Sequence, residues 1–198
     1  MLDFLLPSLC LLCEKNGKPI CLHCLEALQL KVQQTSRAGF DLWYLATYND
    51  AIAKIVLAIK DKGRTSLISA LVAQAAWPQS AQGVSLVPIP SSRDAEQKRG
   101  FSHTEIFAKK IAARNHGLRV AKLLRSKTRR LDQAGLSVEQ RKANLSGAFE
   151  IRRGISTSLP VVLVDDVYTT GATMAAARET LEAAGYRVLG GWVLALVD

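Results

Sequence analysis

The chain has 198 residues, 48% of them apolar and 22% charged, which fits one globular domain of ordinary size with a small appendage. No segment approaches the roughly 18 uninterrupted apolar residues of a membrane-spanning helix, so such a helix is excluded. The formal net charge is +9, and its distribution along the chain matters more than its sum.

At the start, Met1 to Cys13 is apolar, yet it lacks a basic beginning, carries Asp3 and Pro7, and offers no small-residue cleavage pattern. A signal peptide is therefore not expected, Leu9 before Cys10 speaks against a lipoprotein signal, and the expected address is cytoplasmic. All four cysteines fall in the first 24 residues, as Cys10-x-x-Cys13 and Cys21-x-x-Cys24. Each knuckle can present two thiolates, and two knuckles complete a tetrahedral shell, so the expectation is a structural Zn²⁺ site with iron as the rival metal. Disulfides do not suit the cytoplasm, and two matched pairs do not suit a redox dithiol. His23, between two cysteines of one knuckle, is expected to point away.

A helix is predicted over Leu25 to Gln33, followed by a joint that runs into the aromatic-rich Phe40 to Tyr48. The domain reading is a zinc-binding module at 1–30, a joint at 31–48 and an α/β domain at 49–198. Ile52, Ile55, Val56 and Ile59 recur at helical spacing in Ala51 to Lys60, with Asn49 or Asp50 as cap and the polar turn Lys60-Asp61-Lys62-Gly63-Arg64 as the end. A second helix is predicted from Ser66 to Ala76. Val84 to Ile89 reads as a short strand and Pro90 to Lys98 as a polar loop. Arg99-Gly100-Phe101 then leads into a helix to Ala113, with Ser102 and Glu105 as its capping box. Val120 to Leu124 is a further candidate strand.

From Lys122 to Arg153, nine basic residues face only Asp132, Glu139 and Glu150, a net of +6. That density suits a pyrophosphate or a nucleic-acid backbone, the alternative being a solvated face; Lys127, Arg129 and Arg130 are the candidate DNA contacts. Phe149 is the lone aromatic of the stretch, so base stacking has little support there.

Val161 to Val164 reads as a strand buried on both faces, Met174 to Ala184 as a helix stopped at Gly185, and Gly191 to Val197 as the terminal strand. Between the first two lies Asp165-Asp166-Val167-Tyr168-Thr169-Thr170-Gly171-Ala172-Thr173. Ligands of open α/β sheets bind at this carboxyl end of the strands. Backbone N–H groups of the turn, with the hydroxyls of Thr169, Thr170 and Thr173, suit a phosphate. Asp165 and Asp166 would repel a phosphate; they suit vicinal sugar hydroxyls, or Mg²⁺ held directly or through water. No Gly-Lys-Ser/Thr follows the glycine, so this is not a Walker A loop.

These thirteen residues, Val161 to Thr173, resemble the phosphoribosyl pyrophosphate (PRPP) signature of type I phosphoribosyltransferases. Three further segments, in the right order over nearly the whole chain, make it similar to the ComF/GntX family. They are Val87-Pro88-Ile89-Pro90 with Arg99-Gly100-Phe101; Gln133-Ala134-Gly135-Leu136-Ser137 with Arg141 and Asn144 to Phe149; and Lys60-Asp61-Lys62-Gly63-Arg64. The cysteine knuckles match that family's zinc module. The chain departs from the pattern at Ser102-His103, where Asn-Gln is usual, and at Asp61, where an aromatic is common.

The resemblance implies a type I phosphoribosyltransferase-like fold, a mostly parallel sheet flanked by helices, that acts in cytoplasmic handling of incoming single-stranded DNA during natural transformation. Asp165 and Asp166 would hold the ribose hydroxyls or metal, and Thr169, Thr170, Gly171, Ala172 and Thr173 the 5-phosphate. Ser91, Ser92 and Arg93 would hold the pyrophosphate, with Arg130 and Arg141 on a mobile loop. Two readings stay open: a binding module for a phosphoribosyl ligand, serving single-stranded DNA and DNA-processing proteins, and an active Mg²⁺-dependent transferase using PRPP and an unidentified acceptor.

Overall fold

The computed structural model describes residues 9–37, 39–75, 77, 82–127 and 147–197. Arg129, Arg130, Arg141 and the motif over 133–137 and 144–146 lie outside the described residues. Six strands form the main sheet: β1 (Gln33–Arg37), β2 (Phe40–Thr47), β3 (Ser85–Pro88), β4 (Arg119–Val120), β7 (Val161–Tyr168) and β8 (Val188–Leu196). Their order is β1-β2-β8-β7-β3-β4, and all neighbours are parallel except the β1–β2 pair. A two-stranded antiparallel ribbon, β5 (Leu124–Ser126) with β6 (Phe149–Ile151), stands apart from it. The helices are α1 (Leu22–Ala27), α2 (Asp50–Lys62), α3 (Ser66–Val72), α4 (Arg93–Arg99), α5 (His103–Arg114) and α6 (Ala172–Ala183). The molecule is thus the mixed α/β architecture expected, and no helix among the described residues is long and apolar enough to cross a membrane.

Both faces of the sheet are covered, which is why β7 opens with four buried apolar residues, Val161 to Val164. Along β7, Val162 and Val164 join the core of α2, α3 and α5, whereas Val161 and Leu163 join the core under α6. The same alternation, carried two residues further, sends Asp166 toward α2 and α5 and Asp165 to the opposite side. Trp192 in β8 packs against Phe107 of α5 with ring centroids 6.0 Å apart.

Several elements differ from the sequence expectation. Gln33–Arg37 and Phe40–Thr47, expected within a joint, are two strands of the sheet, because β2 pairs in parallel with β8 from Asp41 to Thr47. The helix expected over Leu25 to Gln33 lies at Leu22–Ala27, its first turn fixed by the bond from Leu25 N–H to the Cys21 carbonyl. The loop expected over Pro90 to Lys98 contains α4, capped by Ser92, whose Oγ accepts from Ala95 N–H at 3.3 Å, and ended by Gly100 in the left-handed conformation. The strand expected over Val120 to Leu124 splits at Ala121 into β4 and β5, which belong to different sheets.

Candidate functional site

Strand β7 ends at the acid pair, and the elements packed around it bring distant residues to the same place. A cavity of about 370 Å³ is lined by Asp165 and Asp166, by Thr169 and Thr173 from the turn, and by Ser91 and Ser92 from the end of β3. Lys60 from the end of α2, Arg99 from α4 and His103 from α5 complete its polar wall. Thr170, Gly171 and Ala172 line a small recess beside it, shared with Asp165, Thr169 and Thr173. Arg93 does not join this wall; it lines a neighbouring cavity. Lys127 is exposed and lines neither cavity.

The two carboxylates have different jobs. Asp166 is buried, its Oδ1 accepts from Val167 N–H at 2.8 Å, and its Oδ2 is ion-paired with Lys60 and lies 3.1 Å from His103 Nε2. Burial alone would raise its pKa, but the His103 hydrogen bond and the Lys60 charge hold it well below the usual carboxylate range. Asp165 Oδ1 accepts from Asp166 N–H at 2.9 Å. Burial, and then the neighbouring Asp166 charge, push its pKa up to about 8. Near neutral pH Asp165 therefore carries a proton and can donate to, or accept from, a sugar hydroxyl through its second oxygen.

Asp166 is committed to Lys60, His103 and Val167, which leaves Asp165 as the carboxylate that could hold a Mg²⁺ ion; such an ion needs only one or two carboxylates and fills the rest of its shell with waters and substrate phosphates.

The turn after β7 is shaped by Gly171, at φ +75°, which caps α6. The left-handed backbone favours glycine there, and a Cβ would also have to displace the outer end of the Tyr168 side chain. Thr170 Oγ1 accepts from Ala172 N–H at 3.4 Å and folds the turn back on itself.

Sequence reading missed three members of the wall as site residues: Lys60, Arg99 and His103. Their signal was the resemblance itself, since Lys60 opens the Lys60-to-Arg64 turn, Arg99 opens Arg99-Gly100-Phe101 and His103 marks a departure from the pattern; the packing of α2, α4 and α5 brings these separate segments to β7. Thr104 supplies part of that packing, donating through Oγ1 to the Ile89 carbonyl at 2.8 Å and tying α5 to the end of β3.

At the N-terminus, the Sγ atoms of Cys10, Cys13, Cys21 and Cys24 all lie within 4.8 Å of one another, and His23 is exposed. Burial opposes ionisation of Cys10, yet backbone hydrogen bonds, that of Cys21 foremost, bring its pKa to about 6. Hydrogen bonding to Cys21, then burial, push Cys24 up to about 12. The thiols cannot all ionise without a cation among them. A tetrahedral ion at about 2.3 Å from each sulfur sets sulfurs about 3.8 Å apart, and the Cys13 and Cys21 sulfurs are 3.6 Å apart. This cluster could hold a metal ion such as zinc.

Fold and site together define a mostly parallel α/β protein with a polar ligand cavity at the carboxyl end of its strands and a four-cysteine cluster beside the sheet. No family model matches the chain. The chain is 28% identical over 143 residues to competence protein ComFC of Bacillus subtilis, a match that covers 69% of this chain and 56% of that protein. It is 24% identical over 177 residues to competence protein F of Haemophilus influenzae, covering 87% of this chain and 69% of that protein. The match thus spans little more than half of the Bacillus relative's length. These two relatives, at modest identity, support a ComF family assignment for the chain.

Proposed function

We propose that the chain serves a competence-related role as a phosphoribosyl-ligand binding protein, with PRPP or a related ligand in the acid-pair cavity, and that it acts in cytoplasmic handling of incoming single-stranded DNA. The competence names of the two relatives support the role. The observation that carries the ligand class is the composition of one wall: Asp165 and Asp166 beside Thr169, Thr173, Ser91, Ser92 and Arg99. In this reading the hydroxyl and backbone donors of the Thr169–Thr173 turn take the 5-phosphate. Arg99 and Ser91 take the pyrophosphate, and Asp165 takes the ribose hydroxyls while Asp166 is held in place by Lys60 and His103. The four cysteines hold zinc as scaffolding, since a closed shell leaves no open position for catalysis.

The test is calorimetric titration of the full chain with PRPP, with and without Mg²⁺. Binding that weakens at least tenfold in Asp165→Ala and in Arg99→Gln is expected; PRPP affinity unchanged by both substitutions overturns the assignment. An active transferase is the second reading, favoured by one observation: a second cavity opens against the first, with room for an acceptor. Pyrophosphate release during an acceptor screen distinguishes it.

A further inference from the structure

The second cavity has a volume of about 460 Å³ and meets the first along Pro90 and Ser91, which line both. Helix α4 is the partition. Ser92, Ala95 and Arg99 line the acid-pair cavity, whereas Arg93 and Glu96 line the other. At the head of α5, His103 faces the acid pair while Ser102 and Glu105 line the second cavity.

The second cavity is cationic: Arg93, Lys122, Arg125, Arg152 and Arg153 face Glu96 and Glu105. Lys122 is already paired with Glu105 at 2.6 Å, and Arg125 with Glu150 at 2.8 Å. Arg93, Arg152 and Arg153 form no ion pair among the described residues. A further observation points to a ligand. Ser126 lines the cavity, is 4% exposed, and its buried Oγ has no hydrogen-bond partner among the described residues. A buried hydroxyl left without a partner is costly, and a polar ligand group in the cavity would satisfy it.

We propose that this cavity binds a nucleotide unit, with its phosphate on Arg93, Arg152 and Arg153 and a sugar or base polar atom on Ser126 Oγ, next to the phosphoribosyl ligand across α4. The volume falls within the 300–1,000 Å³ typical of small-ligand sites, enough for one nucleotide and not for a folded duplex. The nucleotide is either free or a residue of a single strand; the chemistry at the arginines is the same. The inference rests on the DNA-handling reading above and deepens it by naming the surface.

The test is fluorescence anisotropy of the full chain with a 3′-labelled ten-residue oligo-dT, competed by thymidine 5′-monophosphate. Arg152→Glu with Arg153→Glu is expected to weaken oligo-dT binding at least tenfold and to flatten its salt dependence by about 0.7 in log–log slope, one phosphate contact fewer. Ser126→Ala, which leaves the charge intact, is expected to weaken it about threefold, and PRPP affinity stays within twofold in both. Competition by the mononucleotide assigns the cavity to a nucleotide with or without a strand, and its absence assigns it to the strand; either supports the proposal. Oligo-dT and mononucleotide binding unchanged in both variants overturns the proposal and leaves the DNA reading standing. A parent chain that binds neither probe overturns both.

Discussion

Asp165 and Asp166 are neighbours in the chain with opposite protonation at neutral pH, and the cause is which side of β7 each occupies. Asp166 meets Lys60 and His103; Asp165 meets another carboxylate and the backbone N–H of Asp166. Asp165 has a folded pKa above its unfolded value, so its contribution to stability is full below about pH 4 and is lost as pH rises through about 8. Asp165→Asn therefore gains thermal stability relative to the parent as pH is raised from 4 to 9, measured by melting at each pH. Asp166 behaves oppositely. Its pKa is depressed, so its contribution is present above the ordinary carboxylate value and falls away in acid. Asp166→Asn is expected to destabilise at pH 7 by about 2 kcal/mol, because a partly buried Lys60 loses its counter-charge and the buried His103 Nε2 its carboxylate partner, and the difference from the parent shrinks in acid. Gly171→Ala is expected to cost about 2 kcal/mol in chemical denaturation, from the positive φ and the Tyr168 contact, and to weaken PRPP binding as the turn shifts.

At the scale of elements, the sequence carried the acid pair, the threonine turn and the Ser102 cap, because each is a local pattern; the Glu105 carboxylate pairs with Lys109 and Lys122 and does not complete the expected capping box. Ser102 Oγ does accept from Glu105 N–H at 3.4 Å, and Asn49 Oδ1 from Ile52 N–H at 3.0 Å. Helix α4 was legible in retrospect: Ser92 precedes Asp94 and Glu96, and Lys98 and Arg99 precede Gly100, a full set of start and stop signals in a stretch whose polarity reads as loop. What no local pattern could supply is which strands neighbour which. β1 and β2 become sheet only because β8, some 150 residues later, offers β2 a parallel edge. Lys60, Arg99 and His103 were missed as site residues for a related reason, since the segments that carry them converge only through tertiary packing. Thr104→Val removes the bond to Ile89 and is expected to lower stability by about 1 kcal/mol and to weaken PRPP binding, through the displaced His103, more than that loss of fold stability alone would.

For the whole molecule, the cysteine cluster belongs to the same core as the sheet. Cys10, Ile20 and Cys24 pack into the cluster that contains Leu45, Ile55, Phe107 and Trp192, with Leu25, Leu28 and Val32 beside them. Metal loss is therefore expected to lower one cooperative unfolding transition, by on the order of 10 °C, when the chain is treated with a chelator and followed by circular dichroism. Two separated transitions would instead mean an independent N-terminal module. Helix α4, seven residues long and wetted on both sides, has a consequence of another kind. If a sugar phosphate and a nucleotide fill the two cavities, any coupling carried by this shared wall is reciprocal. Whatever factor the sugar phosphate adds to the grip on a nucleotide, the nucleotide must return in equal measure to the sugar phosphate.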